Sequence, residues 1–223
     1  MTTRFFHWRL IAAMLAIFFL AGMIGGPGTV VDESISHAAA IWRDISPGFT
    51  AFASSFTELG GARVTLGLAL LAALSLLARR KFGLALILLV TVLAERELVE
   101  WLKELTARPR PLFGSIHPAS MAFPSGHSAN SMTAFLAIAL LAVPASYRRP
   151  VAVAALILSF MVGLSRIYLG AHWPSDVIGG WALGLMAAGL AVSVAERSGA
   201  LRFEVQHEIV GRHRLPRGED QPS

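Results

Sequence analysis

Six apolar runs constrain this chain more than any other feature: Leu10 to Ile24, Val64 to Leu77, Phe82 to Trp101, Ser125 to Val143, Val151 to Leu164 and Val177 to Val194. A bilayer core takes roughly 20 helical residues, a length these runs reach once flanking Gly and Ala are counted. Composition agrees, since 55% of the residues are hydrophobic, 15% are charged and mean hydropathy is +0.61, too apolar for an ordinary soluble domain. The expected fold is all-α, one domain over 1–223, an integral membrane bundle of six transmembrane helices. Residues 1–9 would form a short cytoplasmic N-terminus and 196–223 a polar cytoplasmic tail. The first run, behind Arg4 and Arg9, resembles a signal peptide, but it ends in Gly-Met-Ile-Gly-Gly-Pro without a clear small-x-small site, so a retained helix is expected.

The segments between the runs carry the polar residues. Pro27 to Gly61 is too interrupted to span and reads as a loop with one or two amphipathic segments on the surface, His37 being a surface histidine. Glu95, Arg96, Glu97 and Glu100 lie in the third run, where an ionisable group costs about 2.5–3.5 kcal/mol to insert. They should face the bundle interior or pair, with Arg96 and Glu100 holding Lys103, unless the helix is already emerging into water there. Four prolines make Leu102 to Pro124 an irregular connection. His207 and His213 in the tail suggest no chemistry.

The absence of cysteine excludes disulfides, thiolate metal sites and cysteine nucleophiles. The net charge of +5 does not indicate a nucleic-acid partner, because the basic residues cluster beside apolar runs. Such clusters set membrane orientation. With six spans, Arg4/Arg9, Arg79 to Lys81, Arg148/Arg149 and Arg197/Arg202 all fall on one side, the cytoplasm. The three loops holding the chemistry then share the extracytoplasmic side of the cell membrane.

Three clusters meet there: Lys103 with Arg110-Pro111, Pro124-Ser125-Gly126-His127, and Ser165-Arg166 with His172 and Asp176. The last cluster alone could be a basic loop closed by a helix cap. Together they supply three cations for phosphoryl oxygens. They also provide a Ser-Gly helix start whose free N–H groups can bind an oxyanion, and two histidines able to divide nucleophilic and acid work. No carboxylate cluster suggests Mg²⁺ or Ca²⁺ binding, so neither metal nor cofactor is expected.

These clusters closely resemble the three-part signature of the type 2 phosphatidic acid phosphatases, the lipid phosphate phosphatases: Lys-x6-Arg-Pro, Pro-Ser-Gly-His and Ser-Arg-x5-His-x3-Asp. All three parts are present from Lys103 to Asp176. Of the two Arg-Pro pairs, only Arg110-Pro111 stands at the family distance from Lys103. The resemblance implies that His172 is the nucleophile, forming a phosphohistidine, and that Asp176 orients its ring. His127 would be the general acid, and Lys103, Arg110, Arg166, Ser125 and the Gly126 backbone would bind the phosphoryl oxygens. Arg108 is read as solvated, Trp101 and Trp173 as interfacial anchors, Tyr168 as a packing residue and His117 as a surface or rim residue. Vanadium haloperoxidases share a similar anion site but are soluble.

The expected activity is metal-independent hydrolysis of a lipid phosphate or diphosphate, with membrane lipids around the protein and no obligate protein partner evident. An extracytoplasmic site favours undecaprenyl diphosphate over phosphatidylglycerophosphate, phosphatidic acid and lipid A phosphates. A lipid phosphotransferase on the same scaffold and a non-catalytic phospholipid-binding protein are the competing readings. Keeping both His127 and His172 weighs against the second.

Overall fold

The computed structural model describes residues 2–115 and 120–201, with side chains from Trp8 onward. The elements, in chain order, are α1 (Thr2–Ile24), α2 (Val30–Ile45), α3 (Pro47–Thr57), a 3-10 turn (Glu58–Gly60), α4 (Ala62–Ala78), α5 (Phe82–Thr106), α6 (Gly126–Leu141), α7 (Arg148–Tyr168) and α8 (Pro174–Arg197). Among the described residues every regular element is helical, and the six apolar runs fall in α1, α4, α5, α6, α7 and α8.

Among the described residues, α7 and α8 alone are by themselves long and apolar enough to cross a membrane; α3 and α4 together qualify as a pair bent by 43°. The reasons lie in the other helices. The side chains of α1 are described only over Trp8–Ile24, α6 has 16 residues, and α5 carries its charges in its second half. Three boundaries differ from the sequence reading. Helix α1 begins at Thr2, so the N-terminal basic residues continue the helix instead of preceding it. Helix α5 runs on to Thr106, which makes Lys103 helical. The segment Pro27 to Gly61, expected as a loop with one or two amphipathic segments, is mostly the helices α2 and α3.

Helix α6 is the hub, packed on α4, α5, α7 and α8. Its Ala129, Met132, Ala134, Ala137 and Leu141 are fully buried. The contact with α8 depends on small residues four apart. A Cβ on Gly180 would lie 2.6 Å from the Ser125 carbonyl oxygen, and one on Gly184 would lie 2.6 Å from Met132 Cβ. Helices that share no water-driven hydrophobic force gain by such close backbone approach. Phe123 fills the space between α1 and α8, its ring centroid 5.1 Å from that of Phe18. As expected of charges in an apolar helix, Glu95 is buried in the bundle, whereas Glu97 and Glu100 on the other faces of α5 are exposed.

Candidate active site

Helix ends assemble the site at one end of the bundle. Lys103 lies in the last turn of α5, and Ala107, in the left-handed region at φ 45°, stops that helix and turns the chain toward Arg108 to Pro111. Ser125 is the extended N-cap of α6, without a side-chain cap bond. Arg166 ends α7, and Asp176 lies in the first turn of α8. Gly170, at φ 67°, makes the turn between α7 and His172, and a Cβ there would come within 2.6 Å of Gly114 Cα.

His172 is 2% exposed. Its Nδ1 stands 2.8 Å from the Ala122 carbonyl oxygen, and its Nε2 stands 3.0 Å from Arg110 Nη1. A carbonyl can only accept and a guanidinium can only donate, so these partners assign the proton to Nδ1 and the lone pair to Nε2. Burial lowers the imidazole pKa well below 6.5, and Arg110, Arg166, His127 and Lys103 add to the effect. The ring is therefore neutral near pH 7, with a nucleophilic nitrogen facing a cation.

The other sequence-predicted residues gather around it. Arg110 spreads its fork over the Ser120, Met121 and Ala171 carbonyls and the Ser120 hydroxyl while Nη1 touches His172. Lys103 Nζ is bonded to Glu100 at 2.8 Å, as the sequence spacing implied, and Arg96 takes no part. A Cβ on Gly126 would lie 3.4 Å from that same ammonium, so the missing side chain leaves room between Lys103 and the start of α6. Arg166 is 3% exposed; its Nη1 reaches Thr57 Oγ1 at 3.4 Å, and its Nε has no hydrogen-bond partner. The Ser125 N–H donates to the Asp176 carbonyl at 2.9 Å, tying the second motif to the third. Ser125 itself is fully buried, its hydroxyl accepting from Ser128 at 3.0 Å.

The Ala122 carbonyl is the hydrogen-bond acceptor for His172 Nδ1, and the nearer Asp176 oxygen stands 3.6 Å from the same nitrogen, in ion-pair contact but beyond hydrogen-bond range. Asp176 instead accepts from Arg108 Nη1 and from the Trp173 N–H, each at 2.8 Å. Arg108, read as solvated, is buried at 8% exposure. Sequence reasoning missed it because only the neighbouring Arg-Pro pair has the motif spacing; the doubled pair was the one available signal. Asp32 was missed as well. It is 3% exposed and accepts from the Ser175 N–H and hydroxyl and from the Gly26 N–H. Arg43 of α2 clamps the Tyr168 and Phe113 carbonyls.

Trp173 is buried, with Nε1 donating to the Pro109 carbonyl at 2.8 Å, so it is no interfacial anchor; Trp101, 58% exposed, keeps that reading. Tyr168 packs edge-on against Phe49 and also bonds Thr50 through its hydroxyl. His37 is exposed beside Phe113. His117 and the tail histidines lie outside the described residues.

Cations around an uncharged imidazole suit a phosphate ester, and comparisons with known proteins agree that the chain is a phosphatase. Residues 80–200 match the PAP2 superfamily, and the chain belongs to that superfamily. Phosphatidylglycerophosphatase B of Bacillus subtilis is 34% identical over 161 residues, which cover 70% of this chain and 78% of that protein. An undecaprenyl-diphosphatase of Sulfolobus acidocaldarius is 26% identical over 215 residues, covering 89% and 95%. The crystal structure of a transmembrane PAP2-type phosphatidylglycerolphosphate phosphatase from Bacillus subtilis aligns with a TM-score of 0.77 and 29% identity, covering 84% of this chain and 96% of that one.

Proposed function

We propose that this protein is an integral membrane lipid phosphatase that works through a phosphohistidine on His172, with its active face on the extracytoplasmic side of the cell membrane. The observation that carries the reading is the contact of Arg110 Nη1 with His172 Nε2 at 3.0 Å on a fully buried ring, with Lys103 and Arg166 near enough to lower its pKa further. Lys103, Arg110 and Arg166 neutralise the non-bridging oxygens. The buried Nε of Arg166, a donor without a protein partner, fits a phosphoryl oxygen, as do the uncapped N–H groups at the start of α6. The His172 Nε2 lone pair attacks phosphorus as the bond to the lipid oxygen breaks, and His127 gives that oxygen its proton. Water, deprotonated by His127, then cleaves the N–P bond, releasing phosphate and restoring the imidazole. This cradle holds the charge without a metal ion.

A lipid is the fitting substrate for a second reason. An apolar groove of about 780 Å³ runs between α1, α5 and α8, and its wall includes Leu102, next to Lys103, and Phe18, against Phe123. Helices α1, α4, α5, α6, α7 and α8 are the six spans of this reading. The basic clusters at their other ends support a site on the outside, where a polyprenyl diphosphate is the favoured substrate. The undecaprenyl-diphosphatase matched along 89% of this chain supports that choice. The higher identity to phosphatidylglycerophosphatase B favours phosphatidylglycerophosphate as the second reading. Purified protein assayed for phosphate release against undecaprenyl diphosphate, phosphatidylglycerophosphate, phosphatidic acid and a lipid A phosphate decides between them. The highest kcat/KM is expected for undecaprenyl diphosphate. Preference for phosphatidylglycerophosphate would install the second reading, and transfer of phosphate to lipid without release would make the enzyme a phosphotransferase.

A further inference from the structure

Arg108 lies outside all three motifs, yet its bonds reach both groups that face the protonated side of His172. Its Nη1 donates to Asp176 Oδ1 at 2.8 Å and to Ser175 Oγ at 3.0 Å. Its Nη2 donates to the Ala21 and Gly22 carbonyls at 3.2 and 2.6 Å. Its guanidinium carbon stands 4.4 Å from the centre of the Phe123 ring. Through its backbone, the Arg108 carbonyl accepts from the Ala122 N–H at 2.9 Å, and the carbonyl of that same Ala122 receives the His172 Nδ1 proton.

The electrostatics favour this placement. The last carbonyls of α1 have no helical partners and carry the negative end of its dipole, so a cation is stabilised there. Asp176, in the first turn of α8, sits at a positive end. Arg108 bridges the two ends. Gly26, at φ 107°, makes the space, because a Cβ there would lie 3.1 Å from Arg108 Nε. Asp32 closes the arrangement by holding Ser175 from α2.

We propose that Arg108 is a positioning residue for phosphoryl transfer, its side chain acting through Asp176 to keep the proton on His172 Nδ1 and the Nε2 lone pair toward phosphorus. The inference rests on His172 being the nucleophile. Arg108 never touches the substrate; it sets which nitrogen can attack. A buried fork with four acceptors is not replaceable by a lysine, which donates from a single point.

The test combines kinetics with the ring's own signature. In ¹⁵N-histidine-labelled protein, with the His172 signals assigned by loss in H172A, wild type should show Nδ1 protonated and Nε2 bare near pH 7. R108Q and R108K should show both tautomers and lose kcat by roughly 10–100-fold, the usual cost of removing an orienting partner, while KM changes little. R108Q/D176N should be no slower than D176N alone, since both changes cut one linkage. Wild-type kcat in a folded R108Q or R108K with H172A inactive would overturn this inference and spare the mechanism. A wild-type ring protonated on Nε2 would overturn it even if neither variant folds. Full turnover by H172A would remove the nucleophile and this inference with it.

Discussion

His172 is the residue on which the chemistry turns, and its burial makes its behaviour with pH predictable. H172A should lose phosphate release entirely while staying folded in detergent, and H127A should be slowed by roughly 10²–10⁴-fold, the range of general acid–base assistance. The folded pKa of His172 lies below its ordinary value. The neutral ring thus contributes stability that is present above about pH 6.5 and lost as pH falls through the lowered folded pKa. Activity should follow the same acid limb, falling as the ring takes up its proton. Replacing Arg110 by Gln removes the nearest cation. That limb should then move to higher pH, whatever happens to its height, in a kcat/KM profile; an unmoved limb would mean that the cations do not act on the ring. The motif residues were legible because spacing along the chain encodes them. Ala122 and Arg108 were not, since a backbone carbonyl has no sequence signature and the Arg108–Asp176 pair joins positions 68 residues apart.

At the scale of elements, the closeness of α6 and α8 keeps the second and third motifs in register. Gly184 has Met132 Cβ at 2.6 Å and the Ala129 carbonyl at 2.8 Å from its would-be Cβ, and neither can yield cheaply. Gly189, five residues further along α8, meets only Ile11 at 3.8 Å. G184A should lower the thermal midpoint in detergent by an overpacking cost of about 1–3 kcal/mol. G189A should hold or raise it, since Ala gains up to about 1 kcal/mol of helix propensity over Gly. Equal midpoints for the two would refute the close contact. The apolar runs located α4 to α8 but stopped short of the last turn of α5, where Lys103 sits, and of both ends of α7 and α8. Helices α2 and α3 were harder to see because mixed amphipathic segments resemble surface loops, and their docking depends on Asp32 meeting Ser175, 143 residues away.

For the whole molecule, a sidedness and independence from metal ions are the expected outcomes. In this cysteine-free chain, S34C on α2 should react with a membrane-impermeant thiol reagent in intact cells, and S146C, between α6 and α7, only after the membrane is opened. The opposite pattern would invert the bundle and remove the argument for an extracytoplasmic substrate. Phosphate release should persist in excess EDTA and be inhibited by vanadate, which can occupy the same cradle as a mimic of the transition state; a strict Mg²⁺ requirement would contradict the cation cradle. The central claim, attack by His172, is tested most directly by trapping the intermediate. H127A, slow to activate water, is mixed with p-nitrophenyl phosphate, whose leaving group departs without an acid, quenched in alkali, where phosphohistidine survives, and mapped by mass spectrometry. The account predicts a phosphoryl group on the peptide containing His172 and none in H172A. Phosphate on another residue, or an unmodified enzyme that still turns over, would contradict it.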